Sequence, residues 1–223
     1  MMQEIISKIK DKQVILFGEI HGTKEIPELL SNFFKDISTN ESFNLCLEIP
    51  DEFQGQINSY MNSGDYDILK NILFFSIKYC RDGRNSLEYM NLIKMIYDIN
   101  SEYNKNIKIF CVFPSSAKNQ EEVEKGIANK ILEKVNNKKI FAILGNIHAS
   151  KGEINFPKQK IVPAGFLIYE RLKDKMYSIL LTAKNGEFFS NGLKKLMRYA
   201  NESFEKNFDY VIRLEKVTPC SFL

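Results

Sequence analysis

Four short apolar runs, spaced by segments of helical period, constrain this chain more than any other feature. They are "QVILFGE" at 13–19, "FNLCLEIP" at 43–50, "IKIFCVF" at 107–113 and "KIFAILGN" at 139–146. Continuous apolar runs of this length predict strands covered on both faces, as in a parallel sheet. Between them, residues 4–11 predict a short amphipathic helix. Pro27 opens another, with Leu29, Leu30, Phe33, Phe34 and Ile37 at helical spacing. Proline suits the first helical position because its missing N–H would lack an intrahelical partner anyway. Asp51 begins a polar helix that Gly64 ends, and more helix is expected through 65–80. Ser86 is positioned to N-cap "LEYMNLIKMIYDIN", and "NQEEVEKGIANKILEKV" reads as a charged surface helix. Toward the C-terminus the pattern predicts a helix at 166–175, a strand at 176–183, a helix at 192–200 and a last strand at 208–217. Strands alternating with crossover-length helical segments give an α/β fold: an open, mostly parallel sheet with helices on both faces. Ligands of such sheets bind at the carboxyl ends of the strands. With 223 residues, a single α/β domain over 1–223 is the simplest organisation.

Charge and cysteine usage exclude several classes of function. The 31 basic residues are interleaved with 28 acidic ones for a net charge of +3, so no continuous phosphate track exists and nucleic acid is not expected as a partner. "MMQEIISKIKDK" has no apolar h-region and no run reaches the length of a membrane span, so a cytoplasmic protein without membrane association is expected. Cys46, Cys80, Cys111 and Cys220 show no C-x-x-C spacing, and Cys46 and Cys111 fall in strand-like runs where buried free thiols are common. Composition leaves the oligomeric state open.

The chain has only two histidines, and each lies three residues after a glycine at the end of an apolar run: "GEIHG" at 18–22 and "GNIHA" at 145–149. Glu19 and His21 are two apart, so an extended backbone points both to one side. Glu48 ends the second run. A carboxylate among apolar residues requires a cationic, metallic or hydrogen-bonding partner. The topology therefore brings Glu19, His21, Glu48 and His148 to one edge of the sheet. Taken singly, a strand-end histidine is more often structural, and Glu48 alone would suit a helix cap or a lysine partner. Their convergence favours a shared site.

Two imidazoles with two carboxylates suit a divalent metal such as zinc, manganese or iron, with Glu19, His21, Glu48 and His148 as candidate ligands. Such a metal activates water. Without one, His21 or His148 oriented by Glu19 or Glu48 can act as general base on water attacking a carbonyl. Both routes end in hydrolysis, and the residue types alone do not separate them. "YCRDGRNS" at 79–86 adds Arg84, beside Asp82, as a group able to stabilise developing negative charge; a plain helix-to-helix turn capped by Ser86 weighs equally. Lys24, Glu25 and Ser150 lie near the motifs but read as a solvated loop and a local turn cap.

"GEIHG", "LEIP", "DGRNS", "GNIHA" and the closing "FDYVIRLEKVTP" together resemble the erythromycin-esterase-like, ChaN-like and Tiki superfamily, over most of the chain and in order. The resemblance maps Gly18, Glu19, His21, Glu48, Gly145 and His148 onto the shared core, with Arg84 as an addition. Members open macrolide lactones, act as metal-dependent proteases or bind haem. The resemblance therefore implies a hydrolase of ester, lactone or amide bonds in a small-molecule or peptide substrate, with Glu19 and His21 as metal ligands or base dyad. Glu48 would orient or ligate, and His148 would complete the site or stabilise the oxyanion. The alternative it implies is a non-catalytic haem- or metal-binding protein of the ChaN-like type.

Overall fold

The computed structural model describes residues 2–135, 138–157, 159–196 and 202–223. In chain order the elements are α1 (Met2–Lys8), β1 (Val14–Glu19), α2 (Glu25–Ser38), β2 (Phe43–Pro50), α3 (Gln54–Ser63), α4 (Tyr66–Lys70) and α5 (Leu87–Tyr103). There follow β3 (Ile109–Phe113), α6 (Gln120–Glu133), β4 (Lys139–Gly145), β5 (Ile154–Phe156), β6 (Gln159–Ile161), α7 (Ala164–Leu172), β7 (Met176–Phe189), β8 (Leu193–Lys195), α8 (Glu202–Glu205) and β9 (Tyr210–Val217). The main sheet runs β3-β2-β4-β1-β7, with β9 pairing with β7, and every one of these pairs is parallel. The short β8 folds back antiparallel on the end of β7, and β5 pairs with β6 outside the main sheet.

The strand pattern sets the two faces. Ile15, Phe17, Leu45, Leu47, Phe141 and Ile143 pack under α1, α2, α3 and α5. The alternate residues Val14, Leu16, Cys46, Ala142 and Leu144 pack under α6 and α7. β1, β2 and nearly all of β4 are buried, which is why they read as unbroken apolar runs. The first face is stiffened by a phenylalanine cluster: Phe33 meets Phe17 edge-on at 5.3 Å, and Phe141 meets Phe43 at 5.1 Å.

Side chains finish what the backbone leaves open. Ser86 caps α5 by accepting the Tyr89 N–H, and α3 ends at Gly64, whose φ of 71° is left-handed. β3 is an edge strand, and Gln54 covers it as a neighbouring strand would: its amide donates to Ile109 O at 3.0 Å and accepts from Cys111 N at 2.8 Å. Gln54 thereby satisfies two of the outward backbone groups of this edge.

Two expected helices differ. Within 65–80 only Tyr66–Lys70 is α-helical; Leu73–Phe75 is a single tight 3₁₀ turn. Phe74 and Phe75 are both buried in this turn, and the buried Asn85 amide ties the following segment by donating to Ser76 O and Cys80 O. In the expected helix at 192–200, residues 193–195 form β8, and 197–200 lie outside the described residues. β7 continues to Phe189 and reverses through Asn191 and Gly192, both with positive φ, so the Asn-Gly hairpin signal overrides the helical spacing that follows it.

Candidate functional site

β1 and β4 are neighbours, and beyond their ends the chain leaves to opposite faces, into α2 from β1 and toward α7 from β4. The crevice there collects the residues named from the sequence. Glu19 is the last residue of β1, in phase with Ile15 and Phe17, and is 1% exposed. His21 lies just beyond it, and its Nδ1 is 2.7 Å from Glu19 Oε1. A carboxylate accepts only, so the Nδ1 proton points at Glu19 and Nε2 is turned the other way. Gly22 O accepts the N–H groups of Phe189 and Cys220, each at 2.9 Å, which pins the segment after His21.

Glu48 is the centre of the arrangement. Between Leu47 and Pro50 the register of β2 against β3 slips by one residue, an irregularity that re-aims a side chain beside a site. Glu48 Oε1 accepts from Arg84 Nη1 at 2.8 Å, and Oε2 accepts the Gly145 N–H at 2.6 Å. His21 Nε2 and His148 Nε2 each lie 3.6 Å from this carboxylate, one on either oxygen. Glu48 is thus neither a helix cap nor a lysine partner. Asp82 fixes Arg84 in turn, with Oδ2 accepting from Nε at 2.9 Å and Nη2 at 2.6 Å. The guanidinium also lies 5.0 Å over the Phe113 ring. Arg84 donates to Asp82 and Glu48 and so ties the two carboxylates together, while its side chain stays 15% exposed. Its loop seats tightly, since a Cβ on Gly83 would stand 2.1 Å from Gly22 Cα.

The second motif needs a residue that the sequence reading passed over. His148 Nδ1 lies 2.9 Å from both oxygens of Glu124, which is 1% exposed on α6. The helix expected to be a charged surface element therefore carries a buried acid at the site. Its signal was present: Glu124 stands on the buried stripe with Ile127, Ala128 and Ile131. Tyr89 was missed likewise. It lies on the buried stripe of α5 with Leu92, Ile93 and Ile96, and its hydroxyl donates to Glu19 Oε1. Lys24 and Glu25 do not enter the set of bonded site residues; Glu25 instead accepts from Thr218 N and Oγ1. Ser150 bonds locally to Gly152.

The charges are strongly coupled. Burial works against a charged His21 ring, yet Glu48 and the bond to Glu19 prevail and raise it to about 10. His148 is raised as well, with burial opposing and Glu48 and Glu124 raising it, while the His21 charge pulls it back. Burial pushes Glu48 upward, but His148, Arg84 and His21 overcome this and hold it well below the usual carboxylate range. The two rings keep 19% and 15% of their side-chain surface, so the site is buried but reachable.

Glu19, His21, Glu48 and His148 do not fit a divalent metal as arranged. Among the described residues no three His, Cys, Asp or Glu side chains are set to hold one. Both Glu48 oxygens carry donors, and the Arg84 guanidinium already supplies positive charge there. Haem iron places a different demand, a single imidazole nitrogen, and the part-exposed rings of His21 and His148 carry nitrogens of that type. A groove of about 610 Å³ runs along the β3 edge past Gln54, Asn58 and Lys134 and includes none of these residues.

No family model matches the sequence, and no curated protein matches it in sequence. The fold, by contrast, has clear company: it is the α/β fold of an erythromycin esterase and of a haem-binding ChaN, as the paired motifs led one to expect. The erythromycin esterase EreC, in an open conformation, aligns with a TM-score of 0.63 at 11% identity over 87% of this chain and 78% of its own. ChaN of Campylobacter jejuni, with haem bound cofacially, aligns at 0.60 and 13% identity over 94% and 90%. A succinoglycan biosynthesis protein aligns at 0.74 and 13% identity over 99% and 92%. Among the described residues, no helix is long and apolar enough to cross a membrane.

Proposed function

We propose that the chain is a hydrolase of ester, lactone or amide bonds in a small-molecule or peptide substrate, with His21 and His148 moving the protons. One observation carries this reading: each histidine has Nδ1 held by its own carboxylate while both Nε2 atoms face Glu48 from opposite sides. Two acid–base groups so placed can serve the two ends of one acyl transfer. His21, the ring raised to about 10, enters as imidazolium. His148 is raised as well, with the His21 charge pulling it back, and it is assigned the role of the ring that, once neutral, accepts a proton.

In the first step water gives a proton to His148 Nε2 as its oxygen bonds to the carbonyl carbon, and the C=O π pair moves onto oxygen. Collapse re-forms the carbonyl, breaks the bond to the leaving oxygen or nitrogen, and delivers the His21 Nε2 proton to that atom. The products are the acid and the alcohol or amine. The proton gained by His148 then returns to His21 through solvent. Glu48, held by Arg84 and the Gly145 N–H, keeps both rings facing the reacting carbon.

The expected rate rises with pH above 6.5 as His148 loses its proton and falls again near 10 as His21 does. Hydrolysis of an activated ester by wild type, H21A and H148A across pH 6–11 tests this. Each single variant should lose at least about a hundredfold in kcat, in line with removal of a general acid or base. Undiminished hydrolysis in both would end the proposal. The likeness to ChaN favours a second reading, haem binding without catalysis through the Nε2 atoms. It predicts a Soret band on titration with haemin that H21A or H148A removes.

A further inference from the structure

We infer that Glu124 is a positioning residue that turns the second motif into a Glu124–His148 dyad, fixing the ring proton on Nδ1 and presenting Nε2 to the crevice. Its carboxylate is anchored without help from the histidine. Ala164 N donates to Oε2 at 2.8 Å, and the Gln120 amide donates to Oε1 at 2.7 Å. Both are donors, so the two carboxylate oxygens are held as acceptors, and the contact to the ring is one in which His148 Nδ1 donates. The ring is therefore the oriented partner and Glu124 the fixed one.

The backbone around His148 is tied to the same place. Gly165 N donates to His148 O at 2.7 Å, and a Cβ on Gly165 would come within 2.6 Å of Ala149 O, so the start of α7 lies directly on the motif. Ala164 and Gly165 are first-turn residues whose N–H groups have no partner inside the helix. One of these N–H groups is satisfied by Glu124 and the other by the carbonyl of the histidine that Glu124 orients. Helices α6 and α7 thus converge on one ring. The arrangement mirrors Glu19–His21, but its carboxylate comes from 24 residues away rather than two.

The dyad's placement stands on this geometry alone; its effect on turnover rests on the hydrolase reading. Because the chain has only two histidines, the protein labelled with ¹⁵N-histidine gives two imidazole patterns in long-range ¹H–¹⁵N correlation spectra. Above its titration, the wild-type His148 ring is expected to carry its proton on Nδ1, and in E124L the proton should move to Nε2. E124A, which likewise removes the acceptor, takes the place of E124L if the latter does not fold. A wild-type ring protonated on Nε2, or an Nδ1 tautomer unchanged in the folded variant, overturns the inference. In the kinetic arm E124Q should lower kcat roughly 10- to 100-fold with KM little changed, the scale of losing an outer hydrogen-bond partner of a functional histidine. A rise in KM with kcat intact would overturn it too. If wild type hydrolyses no ester, the hydrolase reading fails while the spectra still decide the dyad.

Discussion

Gly18 and Gly145 hold the same place in their motifs, yet a side chain at each would strike different things. A Cβ on Gly18 would meet Ala149 Cβ at 2.9 Å and the Phe208 ring at 3.1 Å, both part of the packing beneath the site. A Cβ on Gly145 would stand 2.9 Å from His21 Nε2 and 3.5 Å from both Glu48 Oε2 and His148 Cδ2, in the middle of the site itself. The first glycine lets two layers approach, and the second keeps the space between the two histidines and Glu48 clear. The histidines differ in a parallel way. His21 takes its carboxylate from its own strand end, while His148 takes one from a helix across the sheet. Similar motifs therefore do not imply similar local physics.

Glu48 is where the two halves meet, and its loss gives the largest expected effect. Glu48→Leu takes from Arg84 the partner opposite Asp82 and removes the charge that both rings face. Breaking one side of a buried ion pair costs about 3–5 kcal/mol, so denaturant unfolding should show a loss of that order. A loss below about 1 kcal/mol would mean that Glu48 does not bind the halves together.

The paired glycine variants bear directly on the comparison. Gly18→Ala forces overpacking and should cost roughly 1–3 kcal/mol in stability, while the folded fraction keeps its ring geometry. Gly145→Ala should do less to stability, because its nearest neighbour is the end of a side chain. It should nonetheless abolish ester turnover and shift the His21 imidazole resonances. Equal losses of stability, with both spectra unchanged, would erase the distinction between the two glycines.

The contrast also explains what was legible in the sequence. The sheet was visible because strands buried on both faces cannot hide their apolar runs, and Glu19 with His21 was visible because their relation is local and obeys strand period. Glu48 stood out as a charge ending such a run. Glu124 and Tyr89 were obscured because both lie on amphipathic helices, where an acid or a hydroxyl ordinarily marks the solvated face. Only their phase with the buried stripe gives them away, and only the packing of α6 and α5 shows what they touch. The role of Arg84 depended on a meeting 36 residues apart in sequence. The Asn191–Gly192 turn was legible in principle, yet the longer helical spacing of 192–200 outweighed it.

The smallest expected effect is a pH dependence of stability to which both histidines contribute. In an unfolded chain both rings titrate near 6.5, whereas in the folded protein both are raised, His21 to about 10. The folded state then binds more protons than the unfolded state above 6.5, so stability is fully present below that value and falls as pH rises toward 10. Cysteines do not confuse this window. Their ordinary value is 9.0, and burial pushes Cys46 and Cys111 up to about 12, so they begin to weaken the fold only above 9. Between pH 6.0 and 7.5 the His21 contribution to unfolding free energy should drop by on the order of 1 kcal/mol. Urea unfolding at the two pH values should show that drop in wild type. It should shrink but not vanish in H21N and in H148N, because each variant loses one raised ring and keeps the other. A drop unchanged in both variants would mean that neither ring holds its proton through contacts made in the fold.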